Sequence, residues 1–277
     1  LRNYDWLDPI SFYEKSLKWG FEDGKLYYNL GTIYYRMKNY EKALELFSKS
    51  IDLFKNKKLP YLGIASCYAN IGKYDEAINY YEKVLEIDPD NPFALCSIAT
   101  IYYNQRKKSL TEIFELLDKC IKKNPTYRPS YVLAGRIFYE NDNFKESIKF
   151  FKIAVSIDPN DDLSHLLLGI SYFNTGNKEE AEKHLTKAYN LNPNNYENIQ
   201  NLAFFYKITG KFDKALILYE EAIKLKPDDL DTLNDIGLCY AMIGEKEKAK
   251  NIWEEILKKN PDYKPAKTNL QILKKNN

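Results

Sequence analysis

Few residues in this chain are of types that could do chemistry. There are two histidines, His165 and His184, and four cysteines, Cys67, Cys96, Cys120 and Cys239. Acid–base or nucleophilic work needs an imidazole or thiol within reach of a group that orients it. His165 takes a first-helix packing position and reads as a core residue. His184 sits between Glu180 and Lys187 and reads as part of a solvated helix face. No cysteine falls in a CxxC, and no group of His, Cys and carboxylates has metal-ligand spacing. The carboxylate pairs Asp161/Asp162 and Asp228/Asp229 precede apolar runs, where such residues cap helices. The glycines are dispersed and form no phosphate-cradling loop. The chain is therefore expected not to be an enzyme, and no cofactor or metal is implied.

The elements that would position side chains announce themselves by repetition. In residues 162–195, Leu166, Leu168, Gly169 and Tyr172 form an apolar stripe at helical spacing. A turn follows at Asn174-Thr-Gly-Asn177. A second stripe carries Ala181, Leu185 and Ala188 and ends at Pro193. Stop prolines recur at Pro89, Pro125, Pro159, Pro193, Pro227 and Pro261, spaced 36 and then four times 34 residues apart. A small residue followed three later by an aromatic recurs too: Gly31/Tyr34, Ala65/Tyr68, Ala99/Tyr102, Gly135/Phe138, Gly169/Tyr172, Ala203/Tyr206 and Gly237/Tyr240. Small–large pairs mark the second helices: Ala43/Phe47, Ala77/Tyr81, Ala181/Leu185, Ala215/Tyr219 and Ala249/Trp253. The small residue lets two helices approach, and the aromatic on the same face is expected to fill the space beside it. Gly72, Gly176, Gly210 and Gly244 stand where a helix must end left-handed.

On these residues the chain resembles the tetratricopeptide (TPR) family, whose period is 34 residues. The resemblance implies an all-α fold, a right-handed superhelical solenoid of helix–turn–helix repeats with terminal capping helices. It divides the chain into seven repeats: 24–57, 58–91, 92–127, 128–161, 162–195, 196–229 and 230–263. Residues 1–23 are expected to form an N-terminal capping helix or partial repeat, and 264–277 a solvating C-terminal helix. No hairpin buries both its faces alone, so stacking must stabilise the array.

Within that frame, Asp8 and Pro9 start a helix over 8–20, and Trp6 and Trp19 would close the hydrophobic end. Repeat 24–57 has Lys55 in place of a proline, so its second helix runs to Leu53 or Phe54 and the next begins near Pro60. Repeat 92–127 is two residues longer, which predicts a longer turn over 104–110; Ile113 replaces its alanine. Ala266, Leu270 and Leu273 give the last helix one apolar face.

Charged residues make up 29% of the chain but nearly cancel, at a net +2. That argues against nucleic acid as a partner held by bulk electrostatics. No apolar run reaches the ~20 residues of a membrane helix, so no membrane insertion is expected. Unpaired thiols favour a reducing, cytoplasmic setting. The chain starts at Leu1 rather than Met, so an upstream signal or anchor would be missing from it, and a periplasmic or envelope-tethered site stays open. A polar terminal helix suits a chain that is monomeric alone.

The TPR resemblance also implies that first helices line a concave groove where partner peptides lie. Positions two, five, nine, twelve and thirteen of each repeat point into it. Here these include Tyr28, Tyr35, Arg36, Leu62, Asn70, Tyr103, Asn104, Val132, Arg136, Tyr139, Leu166, Phe173 and Asn174. Such a surface is aromatic and apolar, edged by Asn, and suits an amphipathic helix or an extended apolar segment whose backbone the asparagines would bond. A carboxylate clamp of Lys and Asn is not matched in any three consecutive repeats, and no asparagine ladder runs along the sixth positions, Asn29, Gly63, Ser97, Leu133, Leu167, Asn201 and Asp235. The leading expectation is a non-enzymatic protein-interaction scaffold within a larger assembly. Two alternatives are an envelope-tethered assembly or targeting factor, and the recognition arm of an enzyme whose catalytic domain lies elsewhere.

Overall fold

The computed structural model describes residues 9–21, 23–55 and 57–275. Among the described residues there are sixteen helices and no strand. They fall into two compact units, Leu1–Leu133 and Ala134–Asn277. Asp8 and Trp6, expected to cap and close the first helix, lie outside the described residues.

The first unit begins with α1 (Pro9–Lys18), which lies on α2 (Gly24–Arg36). Three hairpins follow: α2 with α3 (Tyr40–Leu53), α4 (Lys58–Asn70) with α5 (Tyr74–Ile87), and α6 (Pro92–Gln105) with α7 (Leu110–Lys123). Each packs on the next, α3 on α4 and α5 on α6. One core cluster gathers Leu30, Leu46, Phe47, Ile64 and Cys67; another gathers Ala77, Tyr81, Val84 and Ile98. Trp19 is 73% exposed, so it does not close the end of this core. The next helix, α8 (Arg128–Glu140), spans the boundary between units.

The second unit continues with α9 (Phe144–Ile157), α10 (Asp162–Asn174), α11 (Lys178–Leu191), α12 (Tyr196–Ile208), α13 (Phe212–Leu225), α14 (Leu230–Met242), α15 (Lys246–Lys259) and α16 (Lys264–Lys275). Hairpins α10–α11, α12–α13 and α14–α15 stack in order, and α16 covers α15 with Ala266, Leu270 and Leu273. Leu185, Ile199, Leu202, Phe205 and Tyr219 belong to one core cluster; Trp253 and Ile256 anchor another.

Local chemistry explains why the chain breaks where it does. Side chains of Asp23, Asn39, Asn91, Ser109, Asn143, Asp161, Asn177, Asn195 and Asp229 accept from backbone N–H groups in the first turns of their helices. That satisfies donors that no helix can satisfy for itself. Ser109 and Glu112 complete a reciprocal capping box. Every hairpin turn contains one residue of positive φ. Four are the glycines Gly72, Gly176, Gly210 and Gly244; the other three are Lys38, Arg106 and Asp142. The two extra residues of the 92–127 segment do not both enter the turn: α6 has 14 residues where α2 has 13, and the turn gains the other. Further back, α4 starts at Lys58, ahead of Pro60, because proline is tolerated in a first turn, where N–H groups have no partner anyway.

The close approach of paired helices works differently from the sequence expectation. What meets the small residue of the first helix is the large residue of the second helix. A Cβ on Gly135 would lie 2.6 Å from the Phe151 ring, one on Gly169 2.8 Å from Leu185, and one on Gly237 2.6 Å from Trp253. Phe151 is fully buried and Trp253 nearly so. These contacts set how near the helices come.

Candidate functional site

The first helices of unit one enclose an open pocket of about 240 Å³. Tyr28, Thr32 and Tyr35 come from α2 at i, i+4 and i+7, one face of a helix. Leu62, Gly63 and Ser66 come from α4 and Phe93 from α6, while Phe47 of α3 contributes its ring. Among the described residues, no charged side chain lines the pocket. Gly63 lets α4 lie close against the Phe47 ring at the pocket wall. A Cβ at Gly63 would meet the Phe47 ring at 2.8 Å.

The walls hold one another. Tyr28 packs on Phe47 with centroids 5.6 Å apart and on Phe54 at 6.0 Å; Tyr35 meets Tyr40 edge-on at 5.7 Å. Several of the polar atoms are already engaged. Thr32 donates to the Tyr28 carbonyl at 3.0 Å. Asn70 donates to the Tyr35 hydroxyl at 3.0 Å and to the Ser66 carbonyl at 2.8 Å. The Ser66 and Tyr81 hydroxyls lie 3.4 Å apart. Burial pushes the Tyr35 phenol above its ordinary value, with the Asn70 bond opposing. The site therefore offers apolar surface and aromatic edges.

Of the residues the sequence points to, Tyr28, Tyr35 and Leu62 come together here, with Asn70 bonded to the rim. Arg36 is exposed at the end of α2. Tyr103, Asn104 and Val132 do not line this pocket. In unit two, Arg136 pairs with Glu140 at 3.5 Å and Tyr139 meets Phe144 edge-on at 5.4 Å. Phe173 lies edge-on to Phe204 at 6.2 Å and Phe205 at 5.7 Å. Leu166 is only 4% exposed and belongs to the core cluster, so it presents no surface; its helix face turns towards the packed side. Two of the edge asparagines also bond within the chain. Asn70 spends both amide hydrogens inside the chain, and Asn174 donates to Ile170 of its own helix at 2.9 Å.

Phe47, Gly63, Phe93, Thr32 and Ser66 were missed as site residues. Phe93, Thr32 and Ser66 occupy the second and ninth positions of the repeat, so the period itself was the signal. Gly63 was visible as the lone glycine among the sixth positions. In unit two, Phe204, Ile208 and Met242 are exposed on first helices by 43%, 53% and 57%. Beside Phe204 the Lys207–Asp235 ion pair closes at 2.5 Å, with the Lys207 nitrogen 5.0 Å from the Phe204 ring centroid.

His184 is a further correction. Its side chain is 13% exposed, and it stacks on His165 with centroids 5.1 Å apart and on Tyr172 at 5.8 Å. The i+4 neighbour Glu180 suggested a solvated face, but His184 lies over Tyr172 and His165 of the paired helix. Among the described residues, no three or more His, Cys, Asp and Glu side chains converge as metal ligands, and no helix is long and apolar enough to cross a membrane.

Comparison with known proteins agrees with this architecture. A tetratricopeptide-repeat family profile matches residues 22–90, and one described as the psidin N-terminal TPR repeats region matches residues 137–264. The chain belongs to the tetratricopeptide-repeat family, and its sixteen described helices accord with about seven repeats. A search of curated proteins by sequence finds no match. Among solved structures, the chain resembles YrrB, described as a TPR protein with an unusual peptide-binding site. The TM-score is 0.60 at 19% identity, over 69% of this chain and 97% of that one. It resembles the anaphase-promoting-complex assembly Cut9–Hcn1, with TM-score 0.67 at 18% identity over 95% of this chain and 52% of that one. PilF of Pseudomonas aeruginosa matches with TM-score 0.67 at 15% identity, over 76% and 95%. At these identities the likeness is one of fold.

Proposed function

We propose that the protein is a non-enzymatic interaction scaffold of seven repeats that grips a polypeptide segment on its first-helix faces. The anchor is the pocket of Tyr28, Tyr35, Leu62 and Phe93. The observation that carries this reading is a hollow lined by apolar and uncharged residues, in which the Thr32, Tyr35 and Ser66 hydroxyls already meet partners within the chain. An occupant gains by burying apolar surface there, about 25 cal/mol per Å² removed from water, and an ionised one would lose its hydration. The partner thus presents a bulky uncharged side chain from a helix or extended strand. The peptide-binding site named for YrrB gives the reading a precedent on the same fold.

Site-specific cross-linking tests it. A photoreactive residue at Phe93, which is 42% exposed, should capture a partner polypeptide from native cells. The same group at Ile217 on α13, which is 59% exposed, should not. Equal capture at both positions would show that the first-helix pocket has no special role.

A further inference from the structure

Two imidazoles meet inside the α10–α11 hairpin. His165 Nδ1 lies 2.9 Å from His184 Nδ1. His165 Nε2 lies 3.2 Å from the Pro159 carbonyl oxygen. A carbonyl can only accept, so Nε2 carries the hydrogen and His165 Nδ1 presents a lone pair. The hydrogen between the rings therefore belongs to His184 Nδ1. That leaves His184 Nε2 as a lone pair, 3.5 Å from Glu180 Oε2. The rings stack on each other, and Tyr172 stacks on His184.

Charged groups surround the pair from three elements. Glu180, Lys183 and Lys187 stand on α11, Asp161 caps α10, and Lys152 faces from α9. A first proton has a good place to go, on His184 Nε2 facing Glu180, and it leaves the inter-ring bond intact. A second proton can only take His165 Nδ1, where the His184 N–H already points. Two N–H groups would then oppose each other between two cations in contact.

We propose that His165 and His184 form a proton-operated latch, in which one shared hydrogen ties α10 to α11 at neutral pH and a doubly protonated pair forces the two helices apart. Burial lowers the pKa of both rings, and His184, with His165 also opposing its charge, is pushed down to about 4. Groups depressed in the folded state bind fewer protons there than when unfolded. Stability is therefore full above about pH 6.5 and falls as pH drops from there towards about 4. For His184 alone, moving from pH 7 to pH 5 reduces the folding constant roughly 20-fold.

The chain has two histidines in all, so its imidazole signals belong to this pair. Long-range proton–nitrogen spectra of the full chain between pH 4 and 7.5 should show His165 Nδ1 bare at pH 7. Both rings should titrate below 6.5 in coupled steps. An independent, ordinary titration near 6.5 for either ring would overturn the latch. Thermal unfolding gives the second readout: the drop between pH 7 and 5 should shrink in His184→Gln, which can still donate to His165 but cannot ionise. An undiminished drop would also overturn it. If the variant does not fold, the spectra of the unaltered chain decide alone.

Discussion

Replacing Gly63 by alanine should destabilise the protein, against the usual sign for a helical glycine. The Phe47 ring is held at both edges. Its Cδ1 and Cε1 lie 2.9 Å from where a Cβ on Gly31 would be, and its Cε2 and Cζ lie 2.8 Å from the corresponding point on Gly63. Phe47 is 2% exposed, and Gly31 on one edge and Gly63 on the other leave the ring no slack along the line between them. A methyl group on α4 would push the ring towards α2. Overpacking of this kind costs about 1–3 kcal/mol. Alanine recovers about 1 kcal/mol of helix propensity over glycine. The clash wins, and Gly63→Ala should lose about 1 kcal/mol net. Phe47→Leu makes room, so the double variant should be more stable than the sum of the two single losses predicts. Urea unfolding of the full chain followed by circular dichroism measures both. A gain of about 1 kcal/mol for Gly63→Ala would refute the pinched-ring geometry.

The turns and thiols give further tests. Lys38 holds a left-handed conformation, φ 61°, without being glycine; Lys38→Gly should therefore raise the unfolding midpoint, by up to about 1 kcal/mol, and a loss would contradict the turn conformation. Ser109→Ala removes one half of the capping box at α7 and should lower stability by about 1 kcal/mol in the same assay. All four cysteines are buried, and burial pushes the Cys67, Cys120 and Cys239 thiols up, Cys67 to about 12 and Cys239 to about 11. A disulfide thiol reagent at pH 8 should therefore find no fast-reacting group until the chain is unfolded; prompt reaction of one equivalent would contradict the burial.

The helical array was legible because its marks are periodic: prolines, small–aromatic pairs and turn glycines repeat at nearly fixed spacing. Side-chain direction was harder to read. Leu166 follows the same fifth-position rule as Tyr28, yet it is buried while Tyr28 lines the pocket, because its face packs into the core of unit two. Left-handed turns at Lys38, Arg106 and Asp142 carry no glycine to announce them. The His184 contact depends on how α10 and α11 pack, and its i+4 charged neighbour pointed the other way. The pocket depends on Phe47 arriving from α3 and Phe93 from α6. Neither is visible until three hairpins are placed side by side.

The central claim is that the uncharged first-helix pocket holds a partner's apolar side chain. Thr32 lines it, and the Thr32 hydroxyl donates to the Tyr28 carbonyl of its own helix. Thr32→Lys thus sets a long cation across the pocket without removing a core contact. Affinity for the partner captured through Phe93, measured by calorimetry on the full chain, should fall at least about tenfold, about 1.4 kcal/mol, while helicity stays unchanged. Unchanged affinity in a folded Thr32→Lys protein would contradict the account.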